Sequence, residues 1–94
     1  MTPLHGRAAQ GSERVATLKV SLRDGVHLTV AENGRELDSD IAHIANGLGA
    51  TVALVDEMAQ RHRFDVLRID AGPVGFVALA DQFVRRGYVV ECVA

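Results

Sequence analysis

The sequence predicts an α/β (α+β) fold, a two-layer sandwich with the element order ββαβαβ. Three observations predict it. Apolar and polar residues alternate from Val15 to Val30 around Arg23-Asp24-Gly25, a helical apolar period runs from Ile41 to Ala59, and Phe64 to Ala94 reads as strand, glycine-containing turn, helix and strand. Two parallel strands joined by a crossover helix cannot bury their own faces, and right-handed crossovers taken in one direction put both helices on the same side. The expected result is a four-stranded mixed sheet with two helices packed on one face.

Residues 1–14 mix Pro, Gly, Gln, Ser and charge without a period and read as a flexible N-terminal tail, with 15–94 as a single domain. Ala16, Leu18, Val20 and Leu22 then point one way, against Thr17, Lys19 and Ser21. After the Gly25 turn, Val26, Leu28 and Val30 oppose His27 and Thr29. A three-residue loop ending in Gly suits a hairpin whose last loop position is left-handed, and the alternation leaves one sheet face wet.

Asn33-Gly34 turns the chain. Asp38 or Ser39 is positioned to cap a helix, with Asp40 complementing its positive end. Ile41, Ile44, Leu48, Val52, Val55 and Ala59 share one face of that helix, which runs to about Arg61. Gly47 and Gly49 in its middle cost about 2 kcal/mol relative to alanine. Either the helix breaks near Gly49, or a neighbour packs against the small-residue stripe Ala42, Ala45, Gly49 and Ala53.

Leu67 and Ile69 face one side of the next strand, with Phe64, Val66 and Arg68 on the other. The final strand, Tyr88 to Val93, is apolar on both faces except for Glu91. Pro73 near the first turn and Gly87 past the end punctuate the helix between them. Its first two turns are apolar almost all round, whereas a helix on the surface of a two-layer domain should show a polar side.

The order resembles the core of the STAS domains of anti-sigma antagonists, and Gly34-Arg-Glu-Leu-Asp sits where such domains carry a similar turn. The serine phosphorylated in those domains has no counterpart in Asp70-Ala-Gly-Pro-Val-Gly, and their terminal helix is missing. The resemblance is topological and assigns no family.

Composition narrows the classes. Ninety-four residues, 48% hydrophobic, make one ordered domain with a small core. No apolar run reaches membrane-spanning length, and Met1-Thr-Pro-Leu-His-Gly-Arg lacks the apolar stretch of a secretion signal. The single cysteine, Cys92, is expected as a buried small hydrophobe on the last strand and fits a reducing cytoplasm. A net charge of -2 gives no global pull towards nucleic acid or acidic membranes.

Several residue groups are candidates for chemistry. Arg61, His62, Arg63, Arg85 and Arg86 gather where both helices end; dipole complementarity is the leading account of them, and the alternative is an anion site for a phosphate, a nucleic-acid backbone or an acidic surface. Asp38, Asp40 and Asp70 gather at the opposite edge, but no ligand spacing for a cation fixes three of them. Asp70, Gly72 and Gly75 form a strand-to-helix turn of the kind that cradles small ligands, although Pro73 removes an amide and Asp70 repels anions. Ser12, Ser21, Ser39 and Cys92 have no histidine (His27, His43, His62) at a spacing that argues contact, so no catalytic constellation, metal site or cofactor is expected.

The remaining feature is apolar surface beyond what so short a chain can cover. Val74, Phe76, Val77, Leu79, Ala80, Phe83, Val89 and Val93 form the expected partner interface. The expected function is a small cytoplasmic protein-protein interaction module, a self-associating regulator, adaptor or inhibitor that forms a homodimer or larger assembly.

Overall fold

The computed structural model describes residues 13–93, apart from positions 22, 24 and 44–46. Most of the expected tail therefore lies outside the described residues, and Arg14 already opens the first strand. The elements are β1 (Arg14–Ser21), β2 (Gly25–Glu32), β3 (Arg35–Ala42), α1 (Gly47–Arg61), β4 (Val66–Asp70), α2 (Gly72–Arg85) and β5 (Val90–Cys92). They form a mixed sheet of five strands in the order β3-β2-β1-β4-β5. β2 pairs antiparallel with β1 and β3, while β4 pairs parallel with β1 and β5. α1 lies over β2 and β3, and α2 over β4 and β5.

The expected two-layer α+β architecture is present with one additional strand. Ala16, Leu18, Val26, Leu28, Val30, Leu67 and Ile69 supply the sheet side of the core. Val52, Leu54, Val55 and Met58 of α1, with Leu79 and Phe83 of α2, close it from above. Ser21 pairs with Gly25 across a three-residue connection, and Gly25 takes the left-handed backbone expected of it, φ 88°.

The additional strand corrects the reading of residues 35–42. Asn33 (φ 52°) and Gly34 (φ 82°) are both left-handed, the geometry of a type I′ turn, whose twist matches two antiparallel strands. Asp38, Ser39, Asp40 and Ile41 therefore extend the sheet and do not begin a helix. The polarity of β3 runs opposite to that of an ordinary strand. Its register with Leu28 and Val30 turns Asp40 and Asp38 towards the helix layer, while Ile41 is 63% exposed. Val30 pairs with Asp38 and Ala31 with Glu36, so Leu37 is an unpaired bulge.

α1 consequently starts at Gly47, and its glycines lie in the first turn, where no interior helix cost applies. The small-residue stripe does not exist as a packing surface: Ala42 is in β3, Ala45 lies outside the described residues, and Gly49 and Ala53 are exposed. A Cβ at Gly49 would meet nothing within 4 Å. Ile44 also lies outside the described residues. Phe64 precedes β4 and stacks on Tyr88 at a ring separation of 5.6 Å, packed against the core and not on the open face.

Candidate functional site

α2 ends in a well-formed Schellman motif. Gly87, with φ 91°, donates to the Val84 carbonyl at 3.0 Å, and Tyr88 donates to the Phe83 carbonyl at 3.1 Å. The Tyr88 ring meets Phe83 edge-on at 5.8 Å, the apolar contact that accompanies this motif. Tyr88 Oη donates to Asp56 Oδ1 at 2.7 Å, and Arg86 Nη1 lies 2.9 Å from Asp56 Oδ2. Burial, then the bond to Asp56 and its negative charge, push the Tyr88 phenol up to about 12. The chain thus reaches β5 through a seam clamped to α1 as well as α2.

Only Leu79 and Phe83 of α2 are buried. Both belong to the protomer's own core, because they occupy the sheet-facing positions, and they are not available to a partner. Phe76 and Ala80 are half-buried against that core. Val74, Val77 and Val84 are 84, 69 and 58% exposed, and Val89, just before β5, is 61% exposed. Val84 was absent from the expected interface, although it lies two turns from Val77 on the same stripe.

Neighbouring contacts fix where that stripe points. Leu79 lines a concavity of about 200 Å³ together with Leu48 and Thr51 of α1, Val20 and Val26. At 100° per residue, Val77 and Val84 lie about 140 to 160° round the helix from Leu79. They therefore face away from α1, over the outer edge of the sheet, which is β5. Asp81 and Arg85, 3.2 Å apart, border the stripe.

The β5 edge itself is short and mostly apolar. Val89 O and Val93 N are engaged by Leu67 and Ile69 of β4, so the backbone groups of Val90 and Cys92 point outward. Glu91 lies on the open face, 3.4 Å from Arg68. Cys92 is a free, exposed thiol, which corrects the expectation of a buried one. It aligns with core residue Ile69, yet on the outermost strand its side chain stays exposed.

The expected anion site is largely neutralised by carboxylates. Arg61 Nη1 and Nη2 lie 3.2 and 3.3 Å from Asp38 and Asp40, and His62 Nε2 lies 3.0 Å from Asp38. Arg85 pairs with Asp81 and Arg86 with Asp56, which leaves the exposed Arg63 without an ion pair to a described residue. Partial burial alone would raise the Asp38 carboxyl. The His62 hydrogen bond, the Ser39 amide and the Arg61 charge outweigh it and hold the group below the usual carboxylate range. The sequence groups the bases by helix end but does not bring the acids of β3 to Arg61 and His62, because Asp38-Ser39-Asp40 has the pattern of a helix start.

At the Asp70-Gly75 turn, Gly72 has φ 74° and a Cβ on Gly75 would meet the Ala71 Cβ at 2.9 Å, so both glycines serve the turn's own backbone. The 200 Å³ concavity, and another of about 220 Å³ beside Glu13, Thr17, Asn33 and Arg68, do not include Asp70, Gly72 or Gly75. Among the described residues no three His, Cys, Asp or Glu side chains converge, and Asp70 is separated from Asp38 and Asp40 by β1 and β2. Ser39 sits exposed in β3, Ser21 ends β1, His27 is exposed on the open face, and His43 follows β3. Ser12 lies outside the described residues.

The fold and its surface define a small two-layer α+β domain with one bare apolar helix flank beside a free sheet edge. No protein-family model matches the chain, and no curated protein is significantly similar to it. The topological resemblance to STAS domains thus has no sequence match behind it. Among the described residues no helix is long and apolar enough to cross a membrane.

Proposed function

We propose that the protein is a non-catalytic interaction module that works by self-association, with a second copy of this chain covering the α2 flank and the β5 edge. One observation carries the reading: Val77 and Val84 stand exposed on the side of α2 that faces the β5 edge of the sheet, with the exposed Val74 beside them on the same helix. Apolar patches of this kind are rarely left to water.

Three features favour a second copy as the occupant. A strand edge is complementary to itself in the antiparallel sense, and the two-fold that pairs β5 with its mate also brings two α2 helices side by side. Asp81 and Arg85 border the valines with opposite signs, so antiparallel helices can set the acid of one beside the base of the other. A standard interface takes about 800 Å² from each partner. That is about an eighth of the 6235 Å² the protomer exposes. Such a module acts as a regulator, adaptor or inhibitor by presenting or withholding this surface.

Light scattering at tens of micromolar should return the mass of two chains, and Val77→Glu should weaken association by roughly a hundredfold or more by burying an unpaired charge. Val77 is exposed in the protomer, so circular dichroism of the variant should match the parent. A mass of one chain at every concentration overturns the reading.

A further inference from the structure

The exposed residues of α2 fall on two different lines of the helix. Resting on the self-association proposed above, we infer that helix-to-helix contact carries it: α2 packs antiparallel against the partner's α2 along the stripe Pro73, Val77, Ala80 and Val84. The β5 edges come together beneath that contact without supplying its strength.

Helical geometry separates this stripe from its neighbours. At about 100° per residue from the buried Leu79, Phe83 and Phe76 lie at about 40 and 60° and pack on the core. Ala80, Pro73, Val84 and Val77 follow between about 100 and 160°, the side that faces the β5 edge. Asp81, Val74 and Arg85 come next, between about 200 and 240°, on the crest farthest from the sheet. The lateral stripe carries no charge, and its steps of four, three and four residues are those by which side chains of one helix seat between those of another. Val74 is 84% exposed, yet it stands between Asp81 and Arg85, whose 3.2 Å pair keeps that line in water.

The sheet sets the distance between the two helices. α2 lies over β4 and β5. Neighbouring strands are about 4.8 Å apart, so a two-fold axis beside β5 and perpendicular to the sheet brings two antiparallel α2 axes about 9.6 Å apart. Packed helices lie about 8 to 10 Å apart, and the small Ala80 within the stripe permits that approach. β5 offers less: only Val90 and Cys92 direct backbone groups outward, and so short an edge is poor ground for strand pairing. Four apolar side chains from each copy leave water at the helix contact, and such a buried centre carries most of an interface's strength.

The test places single substitutions round α2 in the full chain and reads the monomer-dimer equilibrium by sedimentation. Val84→Glu is expected to weaken association at least about a hundredfold, and Pro73→Glu about tenfold, because both bring a charge into the contact. Val74→Glu on the crest should stay within about threefold of the parent. So should Cys92→Pro, which removes an outward amide that an edge strand can spare. All four side chains are exposed, and circular dichroism of each variant should match the parent. A dimer that survives Val84→Glu, or one weakened as much by Val74→Glu, overturns the helix contact and leaves self-association standing, as does loss of the dimer in a folded Cys92→Pro chain. A parent that is a single chain at every concentration overturns both.

Discussion

The two edges of the sheet are finished in opposite ways. β3 is eight residues long, yet it is guarded: Asp38 and Asp40 point inward, and Leu37 is a bulge that breaks the ladder. Inward charge and bulges are devices by which sheet edges avoid pairing with other chains. β5 has only three residues and a single charge, no bulge interrupts its pairing with β4, and an apolar helix flank overhangs it. A very short edge strand is itself one of those devices, so the two edges are held against pairing by different means: inward charge and a bulge at β3, brevity at β5.

The edges also differ in what anchors them. β5 hangs on aromatic packing, with Phe83 fully buried and Tyr88 between Phe83 and Phe64. β3 hangs on partly exposed ion pairs from α1. The largest expected effect is therefore on the β5 side. Phe83→Ala should cost about 3 to 5 kcal/mol in urea unfolding, through lost burial and the cavity left behind. A loss no greater than that of Asp38→Ala would erase the distinction between the two anchors.

Next in size is the turn that makes β3 an edge at all. Gly34→Ala places a side chain at φ 82° and should cost about 1 to 2 kcal/mol. Hydrogen exchange should show the loosening in β3 first, with β5 amides unchanged. Equal loosening of both strands would mean the edges are not independently held.

The smallest effect is on pH dependence. Asp38 titrates below its ordinary value when folded, so its contribution is present above that value and fades as pH falls through the folded pKa, from about pH 4 downward. β3 amides should lose protection over that range while β5 amides hold, and Asp38→Asn should remove the difference. A β3 whose protection is indifferent to acid would show that the bulge and turn secure it without the ion pairs.

Much of the sheet was legible in the residues. The alternation through Val15–Val30 gave the hairpin and its buried face, and Gly87 gave the end of α2. β3 was not legible, because its inward positions hold Asp38 and Asp40, which look like helix caps when read in order. The Asn33-Gly34 pair was the local signal for a hairpin, and it competed with a helical period that begins in earnest only at Gly47.

The excess of apolar residues on α2 could be seen in one dimension, but not which of them the protomer keeps. Leu79 and Phe83 go inward and Val74, Val77 and Val84 stay outside, because the angle at which a helix docks decides which stripe meets the sheet. By itself the sequence determined the layers and most of the order of elements, since period and turn chemistry are local. Only the tertiary structure decided that the basic end of α1 is neutralised by β3 and that Val77 and Val84 face the β5 edge, since both depend on which distant strands become neighbours.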